Sequence, residues 1–187
     1  MNWTISNGVQ TLSAVICILL LIAAAIGDLR FYRISNRLVG AVVACFLALA
    51  AAKASWIFLG WSLAAAACTF ALAAVLFAYG LFGGGDTKLA AAMALWTQFT
   101  DLPRFLVVMT ACGGLLGVVW VIRRLRQRRQ IVDTDVSAPS IASEMTSPQR
   151  AREVPNKLPY GVAIAIGGLD FFLFSPNSPL AGVLSGQ

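Results

Sequence analysis

Long apolar runs separated by short polar stretches organise this chain. Apolar windows near 11–27, 38–54, 61–82, 87–100, 103–122 and 158–175 approach the roughly 20 residues that cross about 30 Å of hydrocarbon as a helix. No window alternates at period two, as the strands of a membrane barrel would. The pattern predicts an all-α integral membrane protein with about six transmembrane helices, the fourth being the shortest. Trp56 and Trp61 flank a break after Lys53, and Trp96 and Trp120 fall towards helix ends, where interfacial aromatic belts form. Residues 55–60 are accordingly expected in the interface rather than across it.

Composition agrees with this reading. Of the 187 residues, 59% are hydrophobic and 12% charged, and the mean hydropathy is +0.80, outside the range of ordinary soluble domains. The net charge of +6 is read as a topology signal and not as a nucleic-acid surface. With six crossings, twelve of the fourteen Lys and Arg residues fall on one side, leaving only Lys53 and Arg104 on the other. The positive-inside rule then puts the amino terminus outside and the loops at 28–37, 83–88 and 123–157 in the cytoplasm. A cleaved signal peptide is disfavoured, because no basic residue precedes the first apolar run.

Four regions follow: a membrane domain over 1–122, a polar and disordered cytoplasmic loop over 123–157, a final transmembrane helix over 158–175, and an outer tail over 176–187. The loop opens with "RRLRQRR" and continues rich in Ser, Thr and Pro. Its basic start suits anionic lipid headgroups, although a topology anchor and spacer is the simpler role. Cys17, Cys45, Cys68 and Cys112 are widely spaced within apolar segments and there is no histidine. This excludes a zinc enzyme or a histidine-based triad, and no metal or cofactor is expected.

Few residues remain that can carry chemistry. Asp101, in "TDLPR", reads as turn chemistry. Asp170, in "IGGLDFFLF", lies about 18 Å along its helix from Leu158, towards the outer face, and reads as a structural or interface group. Asp28 ends the first apolar run, where Arg30 and Arg33 could simply neutralise it. Asp86 follows Gly83, Gly84 and Gly85, and a helix N-cap is its structural alternative. Yet the predicted topology places Asp28 and Asp86 at the same face and at similar depth.

A pair of carboxylates at a membrane edge has a specific use. The ionised member can take a proton from water while the protonated member hydrogen-bonds a scissile carbonyl, since like charges about 3 Å apart push the two proton affinities apart. Glycines before Asp86 let a substrate backbone come close. Lys88 either tunes that pair or anchors its helix among the headgroups. The run "GGLLG" at 113–117 fits close helix packing without a role in the site.

"GGGDTK" resembles the GxGDxK motif of the type IV prepilin peptidases, and "GDLRFYRISN" resembles their aspartate segment ending Ile-Pro-Asn. The compact length and "LPYGVAIAIGGL" resemble the small members that serve tight-adherence (Flp-type) pilus systems. The likeness spans about residues 10 to 175, the polar loop excepted. It implies a GxGD-type membrane aspartic protease of the bacterial inner membrane with Asp28 and Asp86 as the catalytic pair, supported by Gly83, Gly85, Lys88 and Asn36. The implied substrate is a prepilin with a basic leader and a hydrophobic helix, cut at the cytoplasmic face after a glycine or similarly small residue.

Two departures are visible. Ser35 stands where the motif has proline, and the tetracysteine zinc-binding insertion of larger relatives is absent, so the resemblance implies peptidase activity without methyltransferase activity. Two rival functions stay open at this level. One is a small proton- or cation-coupled transporter using Asp86 and Asp170; the other is a catalytically inactive pilus or secretion assembly factor.

Overall fold

The computed structural model describes residues 2–31, 33–80, 82–135 and 159–184. All regular structure among them is helical: α1 (Asn2–Phe31), α2 (Asn36–Lys53), α3 (Trp56–Ala78), α4 (Gly84–Asp135), α5 (Tyr160–Phe174) and the short α6 (Ala181–Leu184).

Local chemistry sets the boundaries. Ser35 is the N-cap of α2, its hydroxyl accepting the Arg37 N–H at 3.3 Å, so the residue in the place of the motif's proline starts the helix by capping. Ala54 closes α2 in the left-handed region, with φ 46° and ψ 38°, and donates its N–H to the Ala50 carbonyl. Ser55 then caps α3 by accepting the Phe58 N–H at 3.3 Å. Residues 56–60 are therefore the first residues of α3. Gly80, at φ 72°, ends the following turn with a conformation natural to glycine.

α4 contains two of the expected spans, 87–100 and 103–122, in one element. Gln98, at φ 50° and ψ −173°, interrupts it and separates arms over 84–97 and 99–135. Neighbouring side chains give each arm its direction. In the first arm Met93 lies at Gly168 and Trp96 at Phe172, so it runs parallel to α5. In the second, Phe105 lies at Gly167 and Gly113 at Tyr160, so it runs antiparallel. The chain thus reverses at Gln98. Pro103 is the fifth residue of the second arm, close to its start.

The same reading orients the other helices. α1 is antiparallel to α5, with Leu21 at Gly168 and Asp28 at Gly161. α2 is parallel to the first arm of α4, with Asn36 at Lys88 and Phe46 at Trp96. α3 is antiparallel to that arm, with Phe77 at Gly84 and Trp61 at Phe99, just past the arm's end. Consecutive legs alternate in direction throughout. By length and apolar character four helical stretches can cross a membrane, Asn7–Phe31, Asn36–Lys53, Trp56–Ala78 and Gly84–Arg123, whereas Tyr160–Phe174 is shorter.

α5 is the central helix. Eight of its fifteen residues are buried, among them Gly161, Gly167 and Gly168, and these small residues let α1 and both arms of α4 approach closely. Beside it Trp96 makes edge contacts with Phe46 and Phe172, at ring separations of 6.0 and 5.2 Å. α3 buries a small-residue stripe, Ser62, Ala65, Thr69 and Ala73, and packs chiefly on α4. Outward faces carry Leu19, Leu72 and Val107, a surface suited to lipid.

One expected boundary moves. Residues 123–135, read from composition as the start of a polar loop, continue α4 as helix, because Arg, Leu and Gln are good helix formers regardless of polarity. The rest of that expected loop lies outside the described residues. In the expected outer tail, Ser178 and Leu180 are buried ahead of α6.

Candidate active site

Asp28 lies in the last turn of α1 and is only 4% exposed. Its Oδ2 accepts the backbone N–H of Gly161 at 2.7 Å, across 133 residues of sequence. Gly161 is the second residue of α5, and the first N–H groups of a helix have no partner within it. A carboxylate there satisfies one of them and faces the positive end of the helix dipole. The fit excludes a side chain: a Cβ on Gly161 would stand 2.8 Å from Oδ2 and 3.1 Å from Cγ of Asp28.

Asp86 lies in the first turn of α4 and is 7% exposed. It is the third residue of the helix, and its Oδ2 reaches back to accept the Gly83 N–H at 3.2 Å, while the Thr87 hydroxyl donates to the Gly83 carbonyl at 3.1 Å. This is the side-chain half of a capping box. The structural alternative for Asp86 is therefore realised at the third helical position rather than at the N-cap. The glycines around it differ in role. A Cβ on Gly83 would stand 2.5 Å from Asp86 Oδ2, one on Gly85 would press on Ile34 at 3.1 Å, and one on Gly84 would make ordinary contact with the Phe77 ring at 3.6 Å.

Side chains connect the two aspartate-bearing segments. Lys88 Nζ donates to Asn36 Oδ1 at 3.2 Å, joining the start of α2 to the first turn of α4. The Phe82 ring lies 4.6 Å from that of Tyr160, so the residue before Gly83 touches the residue before Gly161. Tyr160 is confined on another side by Gly113, where a Cβ would stand 2.9 Å from the ring. Asp28, Asn36, Gly83, Gly85, Asp86 and Lys88 thus all lie at one end of the bundle. Both carboxyl groups there are buried, whereas Lys88 and Asn36 are exposed.

Asp170 belongs to the opposite end. It stands nine residues beyond Gly161 on α5, about 14 Å at helical rise. Arg104 grips it with two parallel bonds, Nε to Oδ2 at 2.8 Å and Nη2 to Oδ1 at 3.0 Å, and donates from Nη1 to the Phe174 carbonyl at 3.4 Å. Asp101 accepts from Asn177 Nδ2 at 3.0 Å. These polar contacts tie the reversal after Gln98 to the end of α5, the structural role expected for Asp170. Among the described residues no three Cys, Asp or Glu side chains gather in a cluster able to hold a metal.

The pattern of the type IV leader peptidase family matches residues 15–121, more than half of the chain. The chain belongs to the type IV leader peptidase family. No curated protein and no solved structure matches it. Membership makes it a leader peptidase-type protease, a hydrolase, and with its apolar helices it is a membrane protein. The matched residues include Asp28, Asn36, the three glycines, Asp86 and Lys88.

Sequence reasoning missed Gly161, Tyr160 and Phe82 in this leader peptidase. The only local sign was a glycine directly after an aromatic residue at the start of an apolar helix. Its partner across 133 residues leaves no periodic trace.

Proposed function

We propose that this protein is a membrane-embedded aspartic endopeptidase that removes the leader of Flp-type prepilins, with Asp28 and Asp86 as its catalytic pair. The observation that carries the reading is the joining of the two buried aspartates' segments at one end of the bundle, through Gly161 and Tyr160 on one side and Phe82 and Gly83 on the other. The six alternating legs are six crossings, with the amino terminus outside and this end at the cytoplasmic face of the bacterial inner membrane. Arg30, Arg33, Arg37 and Lys88 all fall at that end, as the positive-inside rule requires.

The chemistry follows from two carboxyl groups sharing one proton. The ionised member takes a proton from water as the water oxygen attacks the scissile carbonyl carbon, and the protonated member gives its proton to the carbonyl oxygen. The resulting gem-diol collapses when the first member passes its new proton to the amide nitrogen and the C–N bond breaks. The second member recovers its proton from a gem-diol hydroxyl, leaving a leader carboxylic acid and a mature amino terminus. Low-dielectric walls strengthen each of these interactions. Gly83 and Gly85 keep the approach to Asp86 free of side chains, and Lys88 with Asn36 holds α2 against that approach.

The transporter alternative required an available Asp170, but that carboxylate is held in the fork of Arg104. Co-expression of a Flp-type prepilin with wild type, Asp28→Asn and Asp86→Asn tests the proposal by gel mobility. Leader removal is expected only with wild type. Cleavage that survives either substitution refutes the pair.

A further inference from the structure

We propose that Tyr160 and Gly161, at the start of the last helix, are positioning residues that hold the two aspartates in register; this rests on the catalytic-pair reading. Both residues lie beyond the part of the chain that the family pattern covers.

Three contacts converge on this dipeptide. The Gly161 N–H holds Asp28 Oδ2 at 2.7 Å, in a buried setting. The Tyr160 ring packs on Phe82 at 4.6 Å, and Phe82 precedes the glycine whose N–H holds Asp86 Oδ2. Gly113, on the second arm of α4, leaves the Tyr160 ring no room to retreat, since a Cβ there would meet two ring carbons at 2.9 and 3.2 Å. A shift of α5 at this point is therefore transmitted to both carboxylates at once.

The closeness at Gly161 is specific. A Cβ would meet Oδ2, Cβ and Cγ of Asp28 at 2.8, 3.0 and 3.1 Å, so the position admits only glycine while Asp28 keeps its place. α5 also packs closely against α1 and α4 two turns further on, where Gly168 meets Leu21 and Met93.

Gly168 supplies a matched control. A Cβ there would stand 2.7 Å from Leu21 Cδ1 and 2.9 Å from Met93 Cε, crowding the same helix as much as a Cβ on Gly161. It lies about 10 Å further along α5 at helical rise, away from either carboxylate. The two alanine variants therefore separate loss of packing from loss of aspartate placement.

The experiment measures kcat and KM for a Flp-type prepilin, leader and hydrophobic helix included, with the full-length enzyme in lipid nanodiscs, each rate referred to folded protein. Gly161→Ala is expected to lower kcat roughly 10- to 100-fold, the effect of misplacing a catalytic group by about 1 Å, with KM within about twofold of wild type. Gly168→Ala is expected to keep kcat per folded molecule. Tyr160→Ala, which adds no crowding, is expected to lose kcat as Gly161→Ala does, and Tyr160→Phe to restore it. Wild-type kcat in Gly161→Ala or in Tyr160→Ala, or equal kcat losses in Gly161→Ala and Gly168→Ala, overturns the positioning role. Asp28→Asn is run alongside: if it is inactive while Gly161→Ala is fully active, only the positioning role fails, whereas an active Asp28→Asn removes the catalytic pair itself.

Discussion

The three glycines before Asp86 should respond very differently to the same added methyl group. In Gly83→Ala the new Cβ would stand 2.5 Å from Asp86 Oδ2, and ordinary contact begins at 3.4 Å, so the carboxylate must retreat by about 0.9 Å. That retreat breaks its bond to the Gly83 N–H, a loss of about 1 kcal/mol in stability. Because the obstructing atom is the end of a movable side chain, the fold survives. A carboxylate displaced by about 1 Å loses roughly 10- to 100-fold in catalytic rate. Gly84→Ala meets only the Phe77 ring, at 3.6 Å, and replaces a poor helix former by the best one, a gain of up to about 1 kcal/mol. Gly85→Ala presses Ile34 at 3.1 Å and falls between them. The assay is the initial rate of leader removal from a co-purified prepilin, with thermal midpoints in the same detergent to separate rate from folding. The expected order of activity is Gly84→Ala, then Gly85→Ala, then Gly83→Ala. Full activity in Gly83→Ala, or equal loss in Gly83→Ala and Gly84→Ala, refutes the steric reasoning.

Two further outcomes follow from the far end and from the path of the chain. Arg104→Leu, which leaves Asp170 without its fork, lowers the thermal midpoint, and the double variant with Asp170→Leu recovers much of it, because removing both charges is less damaging than removing one; leader removal per folded molecule stays at the wild-type rate in both. In a background with the four cysteines replaced, single cysteines at positions 36 and 98 react with an impermeant maleimide from opposite faces of the membrane, and same-face labelling would remove the alternating path.

The apolar windows were readable because hydrocarbon imposes a length and a continuity on any helix that crosses it. Each of the six windows falls largely within a helical leg, and Asp28, Asp86, Asn36 and Lys88 lie at one end of the bundle. Details set by single torsions or by distant partners were not readable. Gln98 takes a positive φ with ψ −173°, where glycine is the usual residue, so nothing in its identity marks the reversal. The start of α3 at Trp56 is fixed by one side-chain bond, the Ser55 hydroxyl accepting the Phe58 N–H. Residues 123–135 are polar yet helical, because polarity reports contact with water and not backbone conformation. Arg104 as the partner of Asp170, and Gly161 as that of Asp28, arise from packing between helices far apart in sequence.

The break at Gln98 also decides where the polar segment is delivered. Extended as one straight helix, 84–123 would measure about 60 Å at 1.5 Å per residue, twice the hydrocarbon thickness. Because the chain turns back, the second arm of α4 leaves the bundle at the end that holds Asp28 and Asp86, and α5 begins at that same end with Tyr160 and Gly161. Asp135 and Pro159, the described residues on either side of 136–158, therefore both lie towards the end of the bundle that holds the two aspartates.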